Sequence, residues 1–224
     1  MIEIVSGTRL SEEAFWMESA LGVSLRRLAG DERLVPCIFF GNAEGLPKIY
    51  NSRIQAADSC EILAFMHDDV WIDDLYFADH VMHGLAVFDV IGVAGNRRRK
   101  DQQPGWAFVD DECTWDEAAN LSGAIAHDAK PFGPVSFYGT VPAECELLDG
   151  VLLAARKSTL VKNRVEFDTR FDFHFYDMDF CRTARKRDLS LGTWPISLTH
   201  QSAGAFRAPA WQAKLAEYRR KWGT

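Results

Sequence analysis

Three clusters of residues in this sequence have the types and spacing for chemistry. The first is His67-Asp68-Asp69-Val70, an imidazole beside two adjacent carboxylates. Adjacent carboxylates repel one another unless a cation or hydrogen-bond donors compensate, and Mg²⁺ or Mn²⁺ commonly sits on one or two carboxylates together with substrate phosphates. The other use of such a pair is the acidic entry to a helix. The second cluster is Phe171-Asp-Phe-His-Phe-Tyr-Asp-Met-Asp-Phe, in which Asp177 and Asp179 open a helix among aromatic neighbours. A carboxyl group in an apolar rim has its pKa raised, which suits a general base, whereas an Asp in a first helical turn is also ordinary capping. We assign Asp177 the functional role, Asp179 a structural one and His174 a packing one. The third cluster is Leu198-Thr-His-Gln-Ser-Ala-Gly-Ala-Phe, where His200 can add an imidazole to a cation held by Asp69. The resulting oxygen and nitrogen donor set is compatible with Mn²⁺. The basic run Arg97 to Lys100 reads as a solvated loop or a phosphate contact, and His80, His83 and His127 form no pattern.

These clusters depend on the elements that deliver them. Roughly the first hundred residues alternate between short apolar runs and amphipathic stretches, as a parallel sheet flanked by helices requires. Strands are predicted at Ile2 to Val5, Leu34 to Phe40, Ile62 to Met66 and Val90 to Ala94. One helix is predicted from Ser11 to Leu28, with Ala14, Met17, Leu21, Leu25 and Leu28 on one face, and others from Pro47 to Ser59 and Asp73 to Val87. From Gly95 to Pro142, Gly, Pro and Trp punctuation gives no usable period. Order returns at Leu147 to Ala155, in a helix ending near Arg187, in a strand from Thr193 to Leu198 and in a helical tail after Pro209. Ligands of an open α/β sheet bind beyond the carboxyl ends of its strands. The run Ile62 to Met66 therefore carries His67, Asp68 and Asp69 into that crevice, and the last strand brings His200 to the same edge.

Composition sets the limits on partners. The 224 residues include 25 Lys plus Arg against 32 Asp plus Glu, a formal net charge of −7. That sign argues against a dedicated nucleic-acid binder, whose affinity comes from cations on phosphates. With 47% hydrophobic and 25% charged residues, the chain has a core to bury and is neither disordered nor fibrous. Its five cysteines are scattered with no Cys-x-x-Cys pair, so neither a disulfide framework nor a zinc knuckle is expected. No basic-then-apolar leader opens the sequence, and no apolar run approaches the length of about 18 residues that spans a bilayer. A cytoplasmic location is expected, with no transmembrane segment.

The whole chain resembles glycosyltransferase family 2 proteins of the GT-A fold, and within them the StrF-like domain of streptomycin biosynthesis. The resemblance rests on Val5-Ser-Gly-Thr-Arg, Tyr50-Asn51, Phe65-Met-His-Asp-Asp-Val, Val90-Ile-Gly-Val-Ala-Gly, Leu148-Asp-Gly-Val-Leu-Leu-Ala-Ala-Arg-Lys, His174-Phe-Tyr-Asp-Met-Asp-Phe and His200-Gln-Ser-Ala-Gly, in that order. It implies an α/β GT-A (nucleotide-diphospho-sugar transferase) fold, a Rossmann-like mixed sheet flanked by helices. One domain would cover residues 1–224, with a nucleotide-binding half at 1–95 and an acceptor-binding half at 96–224. The implied activity is hexosyltransferase-like: a sugar passes from a nucleotide-diphosphate sugar donor to the hydroxyl of a sugar or small-molecule acceptor, with inversion and help from Mn²⁺ or Mg²⁺. The family's Asp-x-Asp metal motif falls on His67-Asp68-Asp69, with Asp69 as the ligand and His67 in place of the first Asp. Asp68 then faces the ribose or sugar. The family's Glu-Asp pair falls on Tyr176-Asp177, leaving Asp177 as the base. Asp149 and Gly150 form the wall beneath the donor sugar, Thr8 and Arg9 the nucleotide end, and Asn51 joins the donor-side residues.

Two other classes use the same residues. A metal-dependent phosphohydrolase or nucleotidyltransferase would employ His67, Asp68, Asp69 and His200, although an apolar strand precedes the His-Asp pair here instead of a helix. A non-catalytic nucleotide-sugar binding module would keep the fold and lose the chemistry.

Overall fold

The computed structural model of the protein describes residues 1–202 and 207–223, so the Ala203-Gly204 end of the third cluster and the residues through Phe206 lie outside the described residues. Ile2–Gly7 forms β1, and the helical stretch after it divides into α1 (Glu12–Glu18) and α2 (Ala20–Arg27). Apolar periodicity runs through both, which is why one helix is predicted. Ser19 breaks it: its hydroxyl donates to the Phe15 carbonyl at 2.8 Å and accepts from the Gly22 amide at 2.9 Å, ending one helix and capping the next. Then come β2 (Leu34–Phe39), α3 (Leu46–Gln55), with Pro47 in its first turn, and β3 (Ile62–Met66). Every residue of β3 is buried, as a central strand covered on both faces must be.

Beyond β3 the chain makes a short strand, β4 (Val70–Ile72), before α4 (Phe77–Gly84), which is shorter than its apolar spacing predicts. Next are β5 (Val90–Gly92) and β6 (Ala94–Asn96). The stretch without a period holds β7 (Leu121–His127) and β8 (Val135–Gly139). β7 is Ser-, Gly- and Ala-rich and mostly buried, so it shows neither alternation nor a run of β-branched residues. The remaining elements are β9 (Ala143–Cys145), β10 (Leu147–Leu148), β11 (Leu152–Arg156), α5 (Lys157–Asn163), α6 (Tyr176–Arg185), β12 (Leu191–Thr193), β13 (Leu198–His200) and α7 (Pro209–Trp222). The predicted strand from Thr193 to Leu198 is thus the meeting of two strand ends, joined across Pro195 and belonging to different sheets.

The larger sheet has the order β2-β1-β3-β11-β5-β12-β9. β1 runs parallel to β2 and β3, and β12 parallel to β5, while β11 lies antiparallel between β3 and β5. The second sheet has the order β10-β6-β7-β13-β4, with β8 added to β7. The mixed α/β architecture is the one the family resemblance implies; the parallel sheet expected from the alternating pattern is interrupted by antiparallel β11, which enters between β3 and β5 from the second half of the chain. The chain crosses between sheets at His67-Asp68-Asp69, from β3 to β4, and again at Asp149-Gly150-Val151, from β10 to β11. Among the described residues no helix is long and apolar enough to cross a membrane.

Two side chains tie the surroundings down. Asp179 is fully buried, accepts from the Trp222 indole at 2.9 Å and pairs with Lys221 at 2.6 Å, so it anchors α7 against α6. Arg98 of the basic run is held by the buried carboxyl of Asp116.

Candidate functional site

β3 ends at Met66, and the next three residues leave the larger sheet at its carboxyl edge. β13 pairs with β4 so that His200 lies opposite Val70, and the Gln201 amide donates to the Asp69 carbonyl at 3.0 Å. This register brings His200 to Asp69, with His200 Nε2 3.2 Å from Asp69 Oδ1. His67 Nδ1 lies 3.9 Å from the same oxygen. One ligand atom from each of His67, Asp69 and His200 falls within 4.8 Å of the others, a group able to hold a metal ion. His127, which the sequence leaves without a role, comes opposite His200 through the β7–β13 pairing, with ring centroids 6.1 Å apart.

Burial and charge compete within this group. Burial lowers the pKa of His67 against the pull of Asp69, favouring the neutral imidazole that a metal requires. Burial also opposes ionisation of Asp69 and His200. Their mutual hydrogen bond and charges outweigh it, lowering the Asp69 pKa and raising that of His200. Each group thus favours the charged form of the other, and a cation bound there would compete with the His200 proton.

The second cluster reaches the same cleft through a strained turn. Phe175, immediately before α6, has φ 66°, a left-handed conformation that costs a bulky residue about 1–3 kcal/mol. The turn directs Tyr176 and Asp177 onto Gly150. The Gly150 amide donates to Asp177 Oδ2 at 3.0 Å, and the Tyr176 hydroxyl donates to the Gly150 carbonyl at 2.8 Å. Burial, with the nearby charge of Asp149 adding to it, pushes the Asp177 pKa up to about 7 despite its backbone hydrogen bonds. Asp149 is fixed in turn, accepting from the Trp106 indole at 2.5 Å and from the Val151 amide at 2.8 Å. One cleft is lined by His67, His200, Asp149, Gly150, Asp177 and Trp106, together with Phe173, His174 and Trp211.

Gly150 is the pivot of this arrangement. A Cβ at this position would lie 2.4 Å from the Tyr176 hydroxyl oxygen and 3.0 Å from the Asp177 Cβ. Gly150→Ala is expected to destabilise the protein by about 1–3 kcal/mol, as forced overpacking does. Urea unfolding checks this, and an unchanged midpoint would contradict the packing argument.

The remaining predicted residues divide. Thr8, Arg9 and Asp68 line an adjoining cleft at the carboxyl end of β1, together with Asn42, Glu44, Gly45 and Asp172; Phe173 borders both clefts. Thr8 is buried and its hydroxyl accepts from the Leu10 amide at 3.1 Å, shaping the turn that leaves Arg9 exposed. Asn51 lies in neither cleft. Its amide donates to the Phe167 carbonyl at 2.7 Å and accepts from the Phe167 amide at 2.8 Å, clamping α3 to the segment before α6. The sequence leaves His127, Trp211 and the side chain of Tyr176 without a role, since each arrives through a contact distant in sequence.

No protein-family model and no curated protein matches the sequence. Solved structures do. The catalytic domain of Drosophila beta1,4-galactosyltransferase 7 in complex with xylobiose aligns with 86% of this chain and 63% of its own, at 10% identity and a TM-score of 0.50. The chain has a GT-A fold. It spans 63% of the length of that Drosophila domain. A mutant of the same enzyme complexed with manganese, UDP-Gal and xylobiose aligns with 86% of this chain and 65% of its own, at 9% identity and a TM-score of 0.47. A fragment of S. aureus TarS aligns with 97% of this chain and 63% of its own, at 12% identity and a TM-score of 0.49. Within the GT-A fold, the first cleft lies at the carboxyl end of β3 and the second at the carboxyl end of β1, the edge where open α/β sheets bind ligands.

Proposed function

We propose that the protein is a glycosyltransferase of the family 2, StrF-like kind, moving a sugar from a nucleotide-diphosphate sugar to an acceptor hydroxyl with inversion. One observation carries the reading: a carboxyl group with its pKa pushed up to about 7 shares the cleft around Gly150 with His67 and His200, the two imidazoles that group with Asp69 as a donor set. A general base works best with a pKa near the operating pH.

The donor set fits a divalent cation. Two imidazoles and one carboxylate, a mixed nitrogen and oxygen set, favour Mn²⁺ over the all-oxygen preference of Mg²⁺. Bound there, the cation offsets negative charge developing on the departing nucleoside diphosphate. Asp69 supplies the anionic ligand and His67 and His200 the neutral ones. Thr8, Arg9 and Asp68, from residues 1–95, take the nucleotide side. Asp149, Gly150 and Asp177, from residues 96–224, take the acceptor side. Asp177 accepts the proton of the attacking hydroxyl, held in place by the Gly150 amide. Attack from the face opposite the leaving group in one displacement inverts the anomeric centre. Aromatic rings lining the cleft, Trp106 and Trp211 among them, give an acceptor sugar apolar faces to stack on.

Incubation with a panel of nucleotide-diphosphate sugars, Mn²⁺ and sugar acceptors tests the proposal. Appearance of a new glycoside together with a free nucleoside diphosphate is the expected result. Release of inorganic phosphate from simple phosphate esters, without any acceptor, would replace the reading with a phosphohydrolase.

A further inference from the structure

The two positions where the sequence departs from the pattern it resembles, His67 and Tyr176, touch one another. Tyr176 is almost fully buried, and its hydroxyl oxygen lies 2.8 Å from His67 Nε2 and 2.8 Å from the Gly150 carbonyl oxygen. A phenol has one hydrogen to give, and a carbonyl oxygen can only accept. The Tyr176 hydrogen therefore goes to Gly150, and the contact with His67 requires Nε2 to carry a hydrogen and donate it. In a neutral imidazole this leaves the lone pair on Nδ1. Nδ1 is the nitrogen on the Asp69 side, 3.9 Å from Oδ1.

The opposite tautomer has its own attraction. A hydrogen on Nδ1 would face the Asp69 carboxylate, and Coulomb attraction favours that arrangement wherever Nε2 has no acceptor to hold its own hydrogen. It would also cap the nitrogen that a cation needs. We propose that Tyr176 is a positioning residue: by relaying the His67 Nε2 hydrogen bond to the Gly150 carbonyl, it holds His67 in the tautomer whose Nδ1 lone pair points into the His67, Asp69 and His200 group. Outer partners of this kind fix ligand tautomer and ring orientation at metal sites. The same two α6 residues grip both sides of one glycine, Tyr176 at the carbonyl and Asp177 at the amide. Tyr176 thereby links the side chain that would hold the cation to the one that would take the acceptor's proton. The inference rests on the proposed metal role of His67 for its consequence, but not for the tautomer itself.

Tyr176→Phe keeps the ring that packs on Tyr50 and Phe167 and removes only the hydroxyl. Two measurements on the full chain decide the matter. In metal-free protein, nitrogen NMR of the His67 ring is expected to show Nε2–H in the unsubstituted chain and a population shifted toward Nδ1–H in Tyr176→Phe. Titration with Mn²⁺ alone, followed by electron paramagnetic resonance, is expected to show affinity weakened by about 10–100-fold in the variant. An unchanged tautomer together with unchanged affinity would overturn the assignment, as would an Nδ1–H tautomer in the unsubstituted chain. Failure of the unsubstituted chain to bind Mn²⁺ would remove the metal reading instead, and the NMR comparison would still decide the role of Tyr176.

Discussion

Asp177→Asn is expected to lower glycosyl transfer by about 10²–10⁴-fold while leaving donor binding intact, the usual worth of a positioned general base. Asn keeps the size of the side chain and an oxygen to accept from the Gly150 amide, so the turn at Gly150 persists. What it lacks is a basic oxygen for the acceptor proton. The pH profile gives a second readout. With the Asp177 pKa pushed up to about 7, any transfer by the unsubstituted protein should rise with pH through that value, and the variant should lose this limb.

Stability supplies a check free of any substrate. The folded-state pKa of Asp177 lies above the ordinary carboxyl value of 3.8, so the folded state binds the proton more tightly than the unfolded chain. The favourable contribution of the protonated form is complete below the unfolded pKa and is lost as pH rises toward about 7. A shift of this size sets a ceiling of about 4 kcal/mol on the change. Asp177→Asn should therefore gain on the unsubstituted protein between pH 4 and pH 8 in thermal unfolding, even though one backbone hydrogen bond is weakened. A difference between the two melting curves that stays constant with pH would remove the claim that the surroundings of Asp177 raise its pKa.

Asp69→Asn should affect binding in place of turnover. Asp69 is the anionic member of the His67, Asp69 and His200 group, and its carboxylate sustains the raised pKa of His200. Without it, Mn²⁺ affinity should fall by more than the roughly 10–100-fold that loss of an outer partner costs, and any Mn²⁺-dependent gain in nucleoside-diphosphate affinity should vanish with it. The fold should survive, because β13 is held through the Asp69 backbone carbonyl and the Thr199–Trp71 and Leu198–Ile72 pairings, none of which involves the side chain. Calorimetric titration of Mn²⁺ and then of a nucleoside diphosphate separates the two steps. Retained Mn²⁺ affinity in Asp69→Asn would exclude the carboxylate as a ligand.

The parts of the site legible in the sequence are those that local pattern controls. β3 is an unbroken apolar run, so its end is readable and the rule for open α/β sheets places His67, Asp68 and Asp69 in a crevice. Asp177 stands out as an acid among aromatic residues at a helix start. The strand-end rule also brings His200 to the edge of Asp69, while the register that sets their 3.2 Å separation depends on β13 pairing with β4, and the contact of Tyr176 with His67 depends on a left-handed residue at 175; neither of these last two has a periodic signature. Helix and strand boundaries slipped where one hydroxyl or one proline decides them. Ser19 splits an amphipathic stretch whose spacing continues across it, and Pro195 lies between strands that enter different sheets. Asn51, read as a donor-side residue, spends both ends of its amide on the Phe167 backbone, a clamp that becomes visible only when α3 and the segment before α6 are packed together.

A nucleotide-diphosphate sugar held across the two adjoining clefts through a divalent cation would be a ligand of the folded state. Thermal unfolding of the protein with a panel of nucleoside diphosphates and their sugars, with and without Mn²⁺, tests it most directly, because a ligand that binds the folded state raises the midpoint. A higher midpoint is expected with at least one nucleoside diphosphate or its sugar, larger with Mn²⁺ than without and absent in Asp69→Asn. A midpoint unmoved by every member of the panel, in the presence of Mn²⁺, would contradict it.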